Sequence, residues 1–364
     1  MNSEPSKSQI GVLIVDDSAF MRTALSRMVT SDPDLWVVGT ASSGNEALQK
    51  IESLQPDVIT LDVQMPGLDG LATLRSIRVQ HPTPVIMVSS VTVADAEITF
   101  DALEAGAFDY VPKQLSSTSL EILHIRNDLV AKIKAAAAEK HKRGCPAIMQ
   151  KKPPRAAELR ARADLHSAPA VIVVGVSTGG PKALQDILPI LPADLPVPIL
   201  VVQHMPPGFT APFAKRLNNL CAMSICEASH GDILHSGVVY IAPAGSHMTV
   251  DRQCSTRTVI CISDKPENQL HTPSVDVMMR SVASTFRSSA MGIIMTGMGS
   301  DGAQGMKAIH SEGGFTLGQD EMSCAVYGMP RVCAEMGILD RVARLSQIPH
   351  EILQATRYPK TSVG

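Results

Sequence analysis

Short apolar runs alternate with longer amphipathic segments over the first third of the chain. The runs read GVLIV, LWVVG, DVITL, PVIMVS and FDYV, and their length and β-branched content predict buried strands. Apolar residues recur at helical spacing between them, over Ser18–Thr30, Gly44–Leu54, Gly70–Gln80 and Val93–Ala105, and again from about Ser117. Apolar strands that alternate with amphipathic helices are typical of a parallel sheet covered on both faces. The pattern therefore predicts an α/β fold, with a doubly wound domain of five β/α units over residues 9–130.

A second pattern of the same kind begins at Pro169. Strands are predicted at AVIVVGV, VPILVVQ, VVYIA, TVICIS and AMGIIMT. Helices are predicted at Pro181–Leu191, Pro212–Leu220, Ser274–Phe286 and Asp301–Ser311. These elements predict a second α/β domain over residues 169–358, with a mostly parallel sheet.

The segment between the two patterns has a different composition. Residues 131–168 are rich in Ala, Lys, Arg and Pro, as in KAAAAEKHKRG and KKPPRAAELRARAD, and have almost no β-branched residues. Such a composition predicts the end of a helix followed by a flexible, basic linker. Contact of this basic segment with acidic lipid or RNA is the alternative interpretation.

Composition narrows the classes of function. The 364 residues are 45% hydrophobic and 18% charged, with a formal net charge of −3, so nucleic acid is not an expected partner. The seven cysteines include no CxxC pair, which argues against a zinc site or a disulfide framework and fits a reducing cytoplasm. No apolar run reaches the roughly 18 residues of a membrane span, and MNSEPSKSQI lacks the apolar core of a signal peptide. We therefore expect a cytoplasmic protein without membrane insertion.

Acidic residues follow several predicted strands of the first domain. Asp16 and Asp17 end the first strand and Asp62 ends the third, while Ser89 ends the fourth and Lys113 follows the fifth. Ligands of an open parallel sheet bind at the carboxyl ends of its strands, so these groups are expected to converge. Clustered carboxylates suit Mg²⁺, and a carboxylate beside that ion and a lysine can accept a phosphoryl group. Capping of the next helix by Asp17 or Ser18 is the alternative.

The motifs VDDS, LDVQMPGLDG, MVSS and DYVPK resemble those of the receiver domain of two-component response regulators, over about residues 9–130. The resemblance implies that a histidine kinase phosphorylates Asp62, with Mg²⁺ as the cofactor of that step. It implies these further roles: Asp16, Asp17 and Asp62 as the metal pocket, Ser89 as the switch hydroxyl, Tyr110 as a switch aromatic, and Lys113 as the cation that contacts the phosphoryl group. The chain departs from the family at Gln114, where proline usually follows the lysine, and this bears on the placement of Lys113.

The second domain opens on a serine set between an apolar strand and a glycine pair. VIVVGVSTGGPKAL contains the pattern G-x-S-x-G around Ser177, which predicts a strand–turn–helix elbow that exposes a nucleophile. The next strand ends at His204, and the strand GIIMT leads into GMGSDGA, which contains Asp301. These groups suit hydrolysis with Ser177 as nucleophile, His204 as general base and then acid, and Asp301 as the anchor of the imidazole. The alternatives are a serine in a turn, a packed histidine and an N-capping aspartate, and His247 is a rival base of lower rank.

Six blocks of the second domain resemble the catalytic domain of chemotaxis protein-glutamate methylesterases, over about residues 169–355. They read VGVSTGGPKAL, VVQHMPPGFT, VYIAPAGSHM, TPSVDVMM, IIMTGMGSDGA and QDEMSCAVYGMPR. The resemblance implies five site residues: Ser177, His204 and Asp301 as the triad, Met298 as a backbone oxyanion donor, and Thr178 as a residue that lines the site. Ser300 and Ala244 stand where Asn and Gly are common in the family, which bears on loop contacts with the substrate.

The two resemblances together imply a phosphorylation-regulated serine esterase of bacterial chemotaxis. It would hydrolyse glutamate methyl esters and deamidate glutamines on methyl-accepting chemoreceptors, with a chemotaxis histidine kinase as phosphodonor and no cofactor for ester hydrolysis. A further hypothesis is that the unphosphorylated receiver covers the cleft of Ser177. The alternative is a receiver-controlled, non-catalytic binding protein, whereas the size and strand content of the second domain disfavour a DNA-binding output.

Overall fold

The structure, a computed structural model, describes residues 9–90, 92–113, 119–144, 168–254, 257–267 and 269–357. The chain divides into two compact units, Met1–Gln150 and Lys151–Gly364. Gln114 and residues 145–167, which form the larger part of the predicted linker, lie outside the described residues. Over the described ranges, no helix is both long enough and apolar enough to cross a membrane.

Five parallel strands form the sheet of the first unit, as the sequence predicts. The strands are β1 (Ile10–Val15), β2 (Leu35–Ala41), β3 (Val58–Asp62), β4 (Val85–Ser89) and β5 (Asp109–Pro112). The helices are α1 (Ala19–Thr30), α2 (Gly44–Leu54), α3 (Gly70–Gln80), α4 (Val93–Glu104) and α5 (Ser119–Gly144). In the order β2-β1-β3-β4-β5, β3 is central, and both β3 and β4 are buried at every position because helices cover the sheet.

Side-chain caps set the starts of the first four helices. Ser18, Ser43, Asp69 and Thr92 each have an extended backbone and accept a hydrogen bond from the N–H three residues further on. Of the two residues that the alternative interpretation names, Ser18 caps α1 and the Asp17 carboxylate does not. The interpretation is therefore correct for Ser18 and wrong for Asp17.

Helix α5 extends beyond the predicted domain end at residue 130. It continues to Gly144, and Ile133, Ala136 and Ala137 are buried in the same core as α1 and the central strands. The alanine-rich stretch KAAAAEK favours a helix, and its small side chains allow close packing. These three residues are therefore part of the core of the first unit.

Seven parallel strands form the main sheet of the second unit, in the order β14-β13-β12-β6-β7-β9-β8. These strands are β6 (Val171–Val176), β7 (Ile199–Gln203), β8 (Ser224–Glu227), β9 (Val238–Ile241), β12 (Ala290–Ile294), β13 (Phe315–Gln319) and β14 (Arg341–Ala343). The helices are α6 (Gly180–Ile187), α7 (Thr210–Leu220), α8 (Val275–Phe286), α9 (Ala303–Ser311), α10 (Met329–Glu335) and α11 (Ile348–Ala355). An antiparallel hairpin of β10 (His247–Cys254) and β11 (Arg257–Ser263) stands outside this sheet.

The second unit contains elements that the sequence pattern does not predict. TVICIS is a strand, β11, but it pairs with β10 rather than joining the parallel sheet. The pattern also does not predict strands β8, β10, β13 and β14 or helices α10 and α11, because each lacks a long apolar run or a full helical period and most are short. Helix α6 ends at Ile187 and continues as a 3₁₀ turn, since Pro189 cannot donate an α-helical hydrogen bond.

Candidate active site and phosphoacceptor site

Ser177 lies in a tight turn between β6 and α6. Gly179 has φ of +74° at the N-cap of α6, a backbone conformation that favours glycine. A Cβ on Gly180 would lie 2.0 Å from Oε1 of Gln203, so this position also needs glycine. The Ser177 N–H donates to the carbonyl of Thr296 at 3.0 Å, which anchors the turn to the segment after β12. The predicted strand–turn–helix elbow is therefore present.

The three residues predicted as a triad are in contact. The strand order β12-β6-β7 brings the segments that follow these strands to one edge of the sheet. Nδ1 of His204 lies 3.1 Å from Oγ of Ser177, and Nε2 of His204 lies 2.9 Å from Oδ2 of Asp301. The His204 and Asp301 side chains are each only 10% exposed. The arrangement can move a proton from the serine hydroxyl onto an imidazole whose far side faces a carboxylate.

Asp301 binds the N-terminus of a helix other than its own. Its carboxylate accepts hydrogen bonds from the Ser274 hydroxyl and from the N–H groups of Val275 and Asp276, all at the start of α8. Gly302, not Asp301, is the N-cap of α9. The alternative interpretation of Asp301 as a cap of the helix that follows it is wrong.

These contacts control the ionisation of Asp301. Burial by itself raises the pKa of the Asp301 carboxyl, but the hydrogen bond and charge of His204 and the N–H groups of Asp276 and Val275 outweigh burial. The net effect is a pKa below the usual range of an aspartate. Asp301 is therefore an anion suited to stabilise a positive charge on His204.

Gln203 connects the turn of Ser177 to His204, and the sequence analysis missed it. Its carboxamide N–H₂ donates to the carbonyl of Ser177 at 3.1 Å and to that of His204 at 3.0 Å. The side chain is 2% exposed. A polar residue at the end of an otherwise apolar strand, directly before His204, is the signal that could have identified it.

The loop of Met298 passes against Ser177. A Cβ on Gly297 would lie 2.8 Å from Cβ of Ser177, and the Gly297 N–H donates to the carbonyl of Val326 at 3.0 Å. Met298 is half-buried, and Thr178 is buried with its carbonyl bound by the Thr296 hydroxyl at 2.9 Å. Both predicted residues thus lie in segments that contact Ser177 or adjoin it.

His247, the rival base, is engaged elsewhere. It is 1% exposed, and its Nδ1 accepts a hydrogen bond from the Ser274 N–H at 3.1 Å. Burial lowers the pKa of His247, despite opposing effects of the Pro266 carbonyl and of Asp301. A second histidine that the sequence analysis missed, His271, stacks on the His204 ring with centroids 4.1 Å apart.

The acidic residues predicted for the first unit converge at one edge of its sheet. Ligand oxygens of Asp16, Asp17 and Asp62 lie within 4.8 Å of one another, with Asp17 exposed and the other two buried. Nζ of Lys113 lies 2.9 Å from Asp16 and 2.6 Å from Asp62. Three carboxylates against one ammonium leave excess negative charge, and an all-oxygen donor set of this density fits Mg²⁺.

Asp62 is held in an environment that favours its protonated form. Burial raises the pKa of Asp62 to about 6, and the Asp16 carboxylate adds to this, although Lys113 acts in the opposite sense. The cluster therefore has more negative charge than Lys113 neutralises, and a divalent cation could neutralise the rest.

The predicted switch residues lie in the two strands that follow β3 in the sheet, Ser89 at the end of β4 and Tyr110 in β5. The buried Ser89 hydroxyl donates to the carbonyl of Ser90 at 3.1 Å and accepts from the Thr99 hydroxyl at 2.9 Å. Tyr110 is 4% exposed, and Nζ of Lys132 lies 5.4 Å from its ring centroid. Gln64, which the sequence analysis missed, connects the site to α4. Its N–H donates to Asp62 at 3.1 Å, and its side chain donates to Asp95.

Comparisons with known proteins find relatives of both units. A family model described as CheB methylesterase matches residues 172–352, and one described as response regulator receiver domain matches residues 12–123. A protein-glutamate methylesterase/protein-glutamine glutaminase 2 of Nitratidesulfovibrio vulgaris is 45% identical over 363 residues, which cover 94% of this chain and 98% of that protein. A protein-glutamate methylesterase/protein-glutamine glutaminase of Symbiobacterium thermophilum is 45% identical over 354 residues, with coverage of 95% and 97%. The crystal structure of the Thermotoga maritima CheB methylesterase catalytic domain is 35% identical with a TM-score of 0.50, and the match covers 52% of this chain and 99% of that chain.

Fold and sites together define a two-unit protein in which a response regulator receiver domain precedes an α/β methylesterase domain. The chain belongs to the CheB methylesterase family, in the form that carries this receiver domain. The predicted fold class and the predicted family are thereby confirmed.

Proposed function

We propose that this chain is a phosphorylation-regulated protein-glutamate methylesterase and protein-glutamine glutaminase that acts on methyl-accepting chemoreceptors. The observation that carries the proposal is the contact from Ser177 through His204 to Asp301, at 3.1 and 2.9 Å. Identity of 45% with proteins of that name over nearly the whole chain supports the substrate class. A non-catalytic binding protein would not need three groups in this arrangement, so that alternative is not favoured.

Ester hydrolysis follows from the positions of these groups. Nδ1 of His204 takes the proton of Ser177 as Oγ attacks the γ-carbonyl of the glutamate methyl ester, and Asp301 stabilises the imidazolium. The oxyanion is held by backbone N–H groups, with that of Met298 as the proposed donor. His204 returns the proton to the leaving methoxide, which departs as methanol. Water, deprotonated by His204, then hydrolyses the acyl-enzyme.

Deamidation uses the same groups on a different leaving group. Ser177 attacks the side-chain amide of a glutamine, and His204 protonates the departing nitrogen, which leaves as ammonia. Both reactions therefore release a glutamate from the same acyl-enzyme. Thr178, which is buried beside Ser177, is proposed to line the cleft that receives either side chain.

The receiver unit supplies the control. Asp62 is the proposed acceptor of a phosphoryl group from a chemotaxis histidine kinase, and Lys113 would contact the transferred group. Asp16, Asp17 and Asp62 would hold Mg²⁺, which when bound neutralises charge on the transferring oxygens. Ser89 and Tyr110 are proposed to respond to the phosphorylated state. Methylesterase chemistry itself is proposed to need no cofactor.

The location and the partners of the protein are also part of the proposed function. We propose that it works in the cytoplasm, between a histidine kinase and the receptor segments it modifies, without insertion into the membrane or binding to nucleic acid. The seven cysteines without a CxxC pair and the net charge of −3 support this. The proposed organisation is a receiver domain over residues 9–130, extended by helix α5, a linker within 131–168, and a methylesterase domain over residues 169–358.

Methanol release from methylated receptor membranes tests the proposal. The whole chain and Ser177→Ala are compared, each with and without Mg²⁺ and a small acyl phosphate as phosphodonor. We expect release that requires Ser177 and rises when both additions are present. Release that survives Ser177→Ala would contradict the esterase mechanism, and release that ignores the phosphodonor would contradict the control by the receiver.

A further inference from the structure

The ring of His204 is held at its two nitrogens but needs support on its faces. Its contacts with Ser177 and Asp301 are made by Nδ1 and Nε2, and the lone pair or N–H of each ring nitrogen lies in the ring plane. Two in-plane hydrogen bonds leave the ring able to tilt about the line that joins the nitrogens. A tilt would turn the Nδ1 lone pair away from the serine hydroxyl, and a misplacement of this kind can lower a rate by up to about 100-fold.

One face of His204 is covered by a second imidazole. The rings of His204 and His271 are stacked, with centroids 4.1 Å apart and an interplanar angle of 17°. His271 lies in the loop between β11 and α8, and it is half-buried. A ring in this position opposes the tilt of His204 and keeps water from that face.

The loop that carries His271 is held by the buried His247. The first residue of β10 is His247, whose Nδ1 accepts a hydrogen bond from the N–H of Ser274, three residues after His271. To accept at Nδ1, the ring must be neutral with its proton on Nε2. His247 therefore binds the loop at Ser274, just after His271.

The C-terminal end of the same loop also forms hydrogen bonds with Asp301. Ser274, whose N–H is bound by His247, donates its hydroxyl to Oδ1 of Asp301 at 2.9 Å. The Val275 N–H donates to Oδ2, the oxygen that faces His204, at 2.8 Å. A change in the loop would therefore affect the imidazole through His271 and the carboxylate through Ser274.

We infer that His271 is a positioning residue of the Ser177–His204–Asp301 site, which fixes the plane of the His204 ring by stacking, and that His247 helps to set the place of His271 by binding its loop at Ser274. This inference rests on the proposed function. It assigns no proton transfer to either residue. His247 is thereby a part of the framework, not the alternative base.

Paired substitutions at His271 test the stacking. His271→Phe keeps an aromatic ring and removes both nitrogens, whereas His271→Ala removes the ring. In the methanol-release assay with the whole chain, we expect His271→Ala to lower kcat about 10-fold or more, with KM within about twofold. We expect His271→Phe to retain most of the wild-type kcat. Rescue by phenylalanine is a result that loss of folding or loss of a hydrogen bond would not produce.

Either of two results would overturn the inference. If His271→Ala retains wild-type kcat, the ring has no positioning role. If His271→Phe is as slow as His271→Ala, the nitrogens of His271 act chemically and the stacking model is wrong. Ser177→Ala in the same assay separates the two proposals, since activity that survives it would overturn the proposed function and with it the role of His271.

Substitutions at His247 test the control of the loop. His247→Asn places an amide oxygen near the position of Nδ1, so it can still accept from the Ser274 N–H, whereas His247→Gln places its amide nearer the position of Nε2. We expect His247→Asn to retain several-fold more kcat than His247→Gln. Only the asparagine keeps an acceptor for the Ser274 N–H, and the Ser274 hydroxyl donates to Asp301. Equal activity of wild type and both variants would show that His247 does not position the site.

A matched control is available in the same unit. The exposed His230 also accepts a backbone N–H at Nδ1, from Ile262 in β11 at 3.2 Å. His230→Ala is expected to leave kcat unchanged. Thermal unfolding of every variant shows whether the second unit is folded, and the rate at which a fluorophosphonate labels Ser177 gives a second reading of nucleophile activation. That rate is expected to fall for His271→Ala and to recover for His271→Phe.

Discussion

The two nitrogens of His204 have distinct roles. Nδ1 faces Ser177 and Nε2 faces Asp301, whereas in a chymotrypsin-type triad Nε2 faces the serine and Nδ1 faces the aspartate. For Nδ1 to take the serine proton, the resting ring must carry its own proton on Nε2. This N–H donates a hydrogen bond to the Asp301 carboxylate. The carboxylate therefore selects the tautomer, in addition to stabilising the imidazolium.

Asp301→Asn is expected to reverse this tautomer. An amide N–H that faces Nε2 would donate to it and leave the proton on Nδ1, which then cannot accept from Ser177. We expect kcat to fall by about 10⁴-fold, as for the same change in a chymotrypsin-type triad. Methanol release measures the rate, and ¹⁵N spectra of the imidazole report the tautomer. The control is Asp186→Asn, which alters an exposed carboxylate of α6 paired with Lys182 and should leave kcat unchanged.

The raised pKa of Asp62 predicts a pH dependence of stability. Burial raises this pKa to about 6, so between about pH 4 and pH 6 the folded state binds more protons than the unfolded state. Stability then falls as pH rises through this window, and the loss persists above pH 6. Asp62→Asn should therefore raise the Tm of the metal-free receiver unit more at pH 7.5 than at pH 4.5. Calorimetry of the whole chain in a chelator tests this, and an equal shift at both pH values would contradict it.

At the scale of elements, strand ends and helix starts create both sites. Adjacent parallel strands end at the same edge of a sheet, so β1 and β3 bring Asp16 and Asp62 together, although 46 positions separate them in the chain. In the second unit the start of α8 receives the Asp301 carboxylate, because its N–H groups lack partners within the helix. One edge of the first sheet thus brings several carboxylates together, whereas the start of α8 stabilises the single carboxylate of Asp301.

Mg²⁺ is expected to stabilise the receiver unit through these strand ends. A ligand at 100 times its Kd stabilises a folded state by about 2.7 kcal/mol, so saturating Mg²⁺ should raise the Tm of this unit. Asp17→Asn should weaken the response strongly, and because Asp17 is exposed it should change the metal-free Tm little. Glu52→Gln, which alters an exposed acid on α2, should keep the wild-type response. An undiminished response in Asp17→Asn would contradict the assignment of Asp17 as a ligand.

At the scale of the whole molecule, each of the two described sites is formed by residues of one unit. The Ser177 site uses residues of the second unit, and the Asp62 site uses residues of the first. Chemistry and control are therefore separable in principle, and the proposed link between them is a change in activity that phosphorylation causes. The hypothesis from the sequence concerns this link: the unphosphorylated receiver covers the cleft of Ser177 and so restrains the esterase.

A fragment of residues 168–364 tests this separation. We expect it to release methanol faster than the unphosphorylated whole chain, and to ignore Mg²⁺ and the phosphodonor. The whole chain with phosphodonor provides the reference for full activation. A fragment no faster than the unphosphorylated chain would contradict restraint by the receiver, and a folded but inactive fragment would show that the second unit is not sufficient for catalysis.

Much of this organisation was determined by the sequence itself. The apolar runs of the first unit and the caps Ser18, Ser43 and Asp69 set its strands and helices, because periodicity and capping involve residues close together in the chain. The elbow at Ser177 follows from two adjacent glycines for the same reason. Short elements such as β13 and β14 were not predictable, since they owe their existence to pairing with neighbours in the sheet.

Only the tertiary structure decided how the site residues meet. No local pattern indicates that Nδ1 of His204 faces Ser177, that Asp301 binds the start of α8, or that His271 lies on the face of His204. These contacts join residues far apart in the chain. They depend on strand order and on the path of the loops between strands. Short-range periodicity carries no information about either, because hydrogen bonds between separate elements form only after those elements pack.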